Sequence, residues 1–534
     1  MKKVLAALLT VTMAAGLLAG CGSSGSSSSK ESTFKIGLTS DIVALDPIYA
    51  YDYTTNPVID QITEGLLQFD QDNQLQPMLA KSWEQKDDTT YVYEIRDDVN
   101  FSDGNPMTMD DVLFSINRNM DKDGGSYLNW MFDDVESVEK TGDWELTVHL
   151  SQPSANWKYV FGTTAGHVIE KSYYEEHKDN FGTAEGGIVG TGPYVFDSWK
   201  SGQEIVLKKN DKYWDKDQTV AIDTLEYKII PDDTTRTTAL KSGEIDFTTA
   251  TPPDNLSTLQ SAKDLDVQSI KMGFTVFLAF NTQRAPFDDV NVRKAVTAAI
   301  DLSSIQDNIM KDTASEGTCL PMNDSLFTTN TDDWNAYLKD NNSVKYSLDE
   351  AKKYMAQSAY PDGFDCTLLT SQDSQRYTIC LYIQEQLKEL GINVNLQKLS
   401  EDEHTANQFG NKLDADGKRD YDMIVAGWEA DYPDIAGNIV PLLSSTNAGK
   451  GGSNSAVYSN AQVDQLLSDE SQSSDGNKRT EDLMQVMNIV NEDCPYIFLT
   501  YPNRLCTINK KYTGFQMNSS WTWNLFFKNI KPAE

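Results

Sequence analysis

The stretch Trp428-Glu429-Ala430-Asp431-Tyr432-Pro433-Asp434 sets three carboxylates among two large rings. A carboxylate beside Trp and Tyr is suited to hold a cationic group in apolar surroundings. Residues 423–426 just before it are a short apolar run, long enough for a buried strand and too short for a helix. Gly427 is expected to end that strand. Pro433 biases Tyr432 towards an extended backbone, so the acids are expected on a stiff loop at the strand's end. In so acidic a chain the same residues also fit a solvated loop with one ring packed on the core.

No other constellation offers reactive chemistry. The chain contains no Gly-x-Ser-x-Gly, no His-Glu-x-x-His and no Gly-x-x-x-x-Gly-Lys-Ser/Thr. Its four histidines, His149, His167, His177 and His404, are scattered and read as surface or internally satisfied side chains. Asp70-Gln-Asp72-Asn73 hints at a calcium loop, but Leu75 and Lys81 stand where Gly and Glu are needed, so it reads as a turn. Asp121-Lys-Asp123-Gly124 fails the same test. No catalytic residue, metal or cofactor is expected, and the chain reads as a binding protein rather than an enzyme.

The elements that must position the acids follow from local patterning. Residues 91–96 alternate apolar and polar, as a half-buried strand does. Thr108 can cap a helix over 109–120, with Asp110 and Asp111 in the first turn where acids suit the macrodipole. Helical spacing also runs through 57–67, through 290–300 with helix resuming over 302–310 after Asp301, and through 377–390, the last closed by Gly391 as a C-cap and followed by a strand over 392–396. Helix, glycine, strand is the connection of α/β lobes.

A chain of 534 residues is too long for one core, and roughly three domains is the expectation. Acids exceed bases by 80 to 45, a formal charge of −35 that repels phosphate backbones, so nucleic acid is excluded as a partner. Lys2 and Lys3 followed by an apolar run to Leu18 form a targeting segment. Leu18-Ala19-Gly20-Cys21 resembles the bacterial lipobox, which implies a signal peptide over 1–20, lipidation of Cys21 and a Ser/Gly tether over 21–32. No later run reaches the ~18–20 apolar residues that span a bilayer. Cys319, Cys366, Cys380, Cys494 and Cys506 form no C-x-x-C pair and are expected as buried free thiols.

One ordered set of motifs is similar to the large solute-binding proteins of ABC transporters, the oligopeptide/dipeptide/nickel family 5. It begins with PMLAKSWEQKDDTTYVYEIRDDVNFSDGNPMTMDDVLFSI (77–116) and GTGPYVFDSWKSGQEIVLKKNDKYW (190–214). SGEIDF (242–247), FNTQRAPFDDVNVRKAVTAAID (280–301) and IQEQLKELGINV (383–394) follow. YDMIVAGWEADYPD (421–434) and PYIFLTYPNRL (495–505) complete it.

The resemblance implies an α/β, two-lobed periplasmic-binding-protein-like fold, of the class II type in its large three-domain variant, hinged by crossing strands. A base domain of 33–75, 188–272 and 497–534 would carry an inserted domain over 76–187, and 273–496 would form the second lobe. The family's W-x-x-D corner implies that Asp431, beside Trp428, pairs with a peptide α-ammonium. Tyr432 would wall the cleft, with Tyr51 and Tyr53 on the base domain and Tyr127 and Trp130 reaching in from the inserted domain. A monomeric, lipid-anchored receptor on the outer face of the cytoplasmic membrane of a Gram-positive-type cell would then deliver small peptides to an ABC permease with its cytoplasmic ATPases. Relatives that bind oligosaccharides or nickel chelates keep those cargoes open, and a hydrolase or signalling lipoprotein on the same anchor is the contrasting class.

Overall fold

A computed structural model describes residues 32–341, 345–517, 519, 523 and 525–533. Cys21 and the targeting segment lie outside the described residues. The fold is two-lobed and mixed α/β. Its main sheet runs in the order Ile392–Lys398, Phe364–Thr370, Met423–Glu429, Phe274–Phe280, Tyr496–Asn509, Phe247–Thr248, Thr33–Leu38, Thr224–Ile229, Glu204–Lys209, Tyr194–Lys200.

The strand Tyr496–Asn509 joins the lobes. Its first half pairs antiparallel with Phe274–Phe280, Leu278 facing Ile497 and Val276 facing Thr500. Its second half pairs with Leu265–Lys271, from Lys271 opposite Asn503 to Leu265 opposite Asn509. Two antiparallel runs of chain therefore carry the sheet from one lobe to the other. Phe274–Phe280 is apolar at nearly every position because both its faces are buried. Phe277 and Ala279 enter one core, while Val276, Leu278 and Phe280 enter another.

Each lobe is built on parallel pairs. Thr33–Leu38 lies parallel to Thr224–Ile229 in the first lobe. In the second, Phe364–Thr370 and Ile392–Lys398 are parallel, joined by the helix Ser374–Leu387. That helix tightens into a 3-10 turn, Lys388–Leu390, and stops at Gly391 with φ 73°, a left-handed conformation that glycine adopts without penalty. A separate antiparallel sheet, Ala80–Asp87, Thr90–Ile95, Glu145–Leu150 and Val135–Gly142, forms a four-stranded unit on the first lobe. Against it lies the helix Met109–Met120, opened by a full capping box between Thr108 and Asp111.

Two expectations shift. The helix expected over 57–67 is Asn56–Ile62 and ends early. Its would-be continuation has its backbone taken by other segments: Val168 N–H donates to Glu64 O, Leu79 N–H to Gly65 O and Leu66 N–H to Gly166 O. The helix resuming after Asp301 is a single turn, Leu302–Ile305, that widens to π geometry over Gln306–Met310. The five described cysteines are free and buried. Among the described residues no helix is long and apolar enough to cross a membrane.

Candidate functional site: an acidic corner at the lobe seam

The strand Met423–Glu429 delivers the acidic loop to the seam. It does not end at Gly427, as the sequence suggested, but runs on through Trp428 to Glu429, with Gly427 opposite Val276 and Glu429 opposite Phe274. A Cβ on Gly427 would lie 2.5 Å from Phe274 Cζ, so the missing side chain makes room for that ring. Strand alternation fixes which side chains face where. Ile424, Ala426 and Trp428 pack on one core of the second lobe, Met423 and Val425 on the other. Glu429 shares the face of Met423 and Val425 and emerges beyond that core at the seam.

Asp431 meets the first lobe directly. The Tyr51 hydroxyl donates to Asp431 Oδ1 at 2.5 Å, and the Trp523 indole N–H donates to the Asp431 carbonyl at 2.7 Å. The Tyr51 and Trp523 rings stand 5.8 Å apart. A cavity of about 160 Å³ lies here, lined by Tyr51, Asp52, Tyr53, Glu429, Ala430, Asp431 and Trp523. A hollow of about 570 Å³ between residues 281–285 and 413–419 is larger, but the second lobe alone lines it.

The loop that presents the tyrosines is held by its own acids. Asp52 Oδ1 accepts from Thr54 N–H at 2.8 Å, from the Thr54 hydroxyl at 2.7 Å and from Thr55 N–H at 2.7 Å. Asp46 pairs with both terminal nitrogens of Arg118, at 3.1 and 2.6 Å, which ties the loop to the helix Met109–Met120.

The electrostatics suit a cation. Burial pushes the Asp431 carboxyl up to about 6, and the Tyr51 hydrogen bond holds it back from rising further. Burial pushes Glu429 up to about 7, opposed by the positive charge of Arg504 and reinforced by the negative charge of Asp431. Two carboxylates crowded this way carry a cost in free energy that an arriving ammonium relieves. Arg504 lies over the Tyr53 ring, 4.0 Å from its centroid, and burial lowers its pKa.

Of the residues named from the sequence, Asp431, Tyr51 and Tyr53 come together at this cavity. Trp428, Tyr432, Tyr127 and Trp130 do not line it. Trp428 donates its indole N–H to Gly437 O at 2.9 Å and packs near Phe409. Tyr127 is 51 % exposed, edge-on to Tyr49 at 5.3 Å. Trp130 and Tyr432 face each other at 6.2 Å away from the cavity. Arg504 and Trp523 belong to the corner without having been named as site residues, and Glu429, one of the three carboxylates of the opening stretch, lines the cavity beside Asp431. Glu429 and Arg504 lie inside quoted motifs, whereas nothing in the sequence marks Trp523. The two buried histidines are structural: His167 bonds the Thr63 hydroxyl at 2.8 Å, burial pushing its pKa down to about 3, and His404 bonds Val425 O at 2.9 Å.

Comparison with known proteins fits this geometry. The model of the bacterial extracellular solute-binding proteins, family 5, matches residues 74–450. The oligopeptide-binding protein AppA of Bacillus subtilis (strain 168) is 27 % identical, over 96 % of each chain. The structure of AppA with a nonapeptide superimposes with a TM-score of 0.74 at 25 % identity, covering 94 % of this chain and all of that one. The binding protein DppA of Helicobacter pylori, solved with the peptide STSA, shares the fold with a TM-score of 0.77 at 24 % identity, over 94 % of this chain and 98 % of that one. By its family model and its architecture, this chain belongs to the bacterial extracellular solute-binding proteins, family 5, which bind substrates for transport rather than convert them.

Proposed function

We propose that this protein captures small peptides between its lobes, holding the α-ammonium at Asp431, and delivers them to an ABC permease. The observation that carries the reading is the Asp431 carboxylate at the seam, bonded by Tyr51 from the opposite lobe beside a ring-lined cavity. An ammonium that reaches the carboxylate would share or replace the Tyr51 hydroxyl. The oligopeptide-binding relative supports peptide cargo, although the fold alone does not choose among cargoes. The base domain of 33–75, 188–272 and 497–534, the inserted domain of 76–187 and the second lobe of 273–496 would move about the paired runs at 265–280 and 496–509. Closure around the peptide would present the form that the permease accepts. Lipidated Cys21 would hold the monomeric receptor at the outer face of the cytoplasmic membrane.

The test is titration calorimetry with a defined pool of tripeptides. Asp431→Asn keeps the shape but strands the ammonium, and the cost is about 3–5 kcal/mol, or ~10²- to 4 × 10³-fold in affinity. Tyr51→Phe removes one neutral hydroxyl and costs about 1 kcal/mol. Equal losses in the two variants would remove Asp431 from its role. Mass spectrometry of the mature N-terminus checks the diacylated Cys21.

A further inference from the structure

Tyr432 follows Asp431 in the chain but does not line the cavity. Its ring is 6 % exposed, and it joins the ring cluster beneath the four-stranded sheet rather than its own lobe's core. It stacks on Tyr159 with centroids 5.8 Å apart and planes 20° apart, and Trp130 closes on it at 6.2 Å. Both partners belong to the first lobe's four-stranded unit. Its hydroxyl makes no hydrogen bond among the described residues, so the ring alone carries the contact.

The loop behind the ring is anchored to the second lobe. The Thr328 hydroxyl donates to Pro433 O at 2.9 Å. Arg479 holds Asp434 through two bonds of 2.9 and 3.0 Å. Beside the ring, backbone and side chains also cross the seam. Ala155 N–H donates to Ser471 O at 2.9 Å, and the Ser474 hydroxyl donates to Asp88 at 3.0 Å.

We propose that Tyr432 is a closure latch: an aromatic plug that the second lobe inserts between Tyr159 and Trp130, and that positions Asp431 in the cleft. Separating the lobes would leave this large ring in water, so its burial favours the shut form. The loop is short and pinned at Pro433 and Asp434, so docking the ring fixes the adjacent Asp431 against Tyr51 and Trp523. The proposal rests on the reading that the lobes close over a solute, but not on that solute being a peptide.

Disulfide trapping tests it without any ligand. The five thiols among the described residues are buried, so cysteines introduced as Ala155→Cys and Ser471→Cys report lobe closure by their rate of cross-linking under diamide. Adding Tyr432→Ala should slow trapping about tenfold, the effect of one lost ring contact. Tyr432→Phe should leave the rate within about twofold, because only the ring is used. Tyr159→Leu, on the opposite lobe, should slow trapping in the same direction and serves if Tyr432→Ala fails to fold, with Tyr159→Phe, which drops only the hydroxyl's 3.5 Å bond to Asp434, expected to leave the rate within about twofold. Unchanged trapping in Tyr432→Ala or Tyr159→Leu, or an equal loss in Tyr432→Phe, would overturn the latch. Failure of the Asp431 titrations with slowed trapping intact would remove the peptide and leave the latch standing.

Discussion

At the scale of single residues, the proposed ammonium site at Asp431 would weaken in acid. Burial raises its pKa to about 6, with Tyr51, Glu429 and Arg504 as the neighbouring charged or polar groups. A proton and an ammonium compete for the same carboxylate, so ligand binding lowers the pKa of the group it pairs with. The sign is therefore fixed: affinity is full above about 6 and falls as pH drops through it. The slope reaches about tenfold per pH unit for one group, and calorimetry between neutral and acidic buffers reads it directly. A flat profile would place the cation elsewhere. Asp431, Tyr51 and Tyr53 were legible from residue type and motif. Trp428 and Tyr432 were legible as important but not in their direction. A run such as 423–426, apolar on both faces, does not reveal which parity faces the cleft, and Trp428 falls on the core side with Ile424 and Ala426.

At the scale of elements, the corner depends on supports far from it in sequence. Asp434 is 3 % exposed and Glu470 is 1 % exposed, and both bond Arg479. Burial would raise Asp434, but the charge and hydrogen bonds of Arg479 outweigh it and hold its pKa below the usual carboxylate range. Glu470 is pushed up to about 7 by burial despite the same Arg. Arg479→Met strands two buried acids, and urea unfolding should show a loss of about 3–5 kcal/mol. A loss under about 1 kcal/mol, the worth of an exposed pair, would mean that the acids reach water. Gly427→Ala should cost about 1–3 kcal/mol by overpacking, because the new methyl meets the Phe274 ring. Thermal melting checks it, and an unchanged midpoint would show that Phe274 swings aside freely. Local patterning found the helix Met109–Met120 and the strand Thr90–Ile95 with little error. It overran the helix after Asn56 because tertiary partners claim that backbone, and it cut the strand at Gly427 because a glycine that yields space to a distant ring looks, in sequence, like a breaker.

At the scale of the whole molecule, one loop gathers several contacts at the seam between the lobes. Residues 428–434 present two acids to a cavity, a ring to the opposite lobe's core and a third acid to an internal arginine. On the proposed reading, capture and closure fall on adjacent side chains. The two-lobed architecture and the runs that cross it were legible through ordered motifs spread along the chain, whereas Trp523 and Arg504 join the corner only through the path of the C-terminal third. The chain's formal charge of −35 draws cations towards the protein at low ionic strength. The most direct measurement compares one tripeptide that binds with its Nα-acetyl derivative, by calorimetry on the unaltered protein at neutral pH. The free amine should bind about 10²-fold or more tightly than the acetylated form; equal affinities would contradict the central claim that a carboxylate at the lobe seam holds the ligand's positive end.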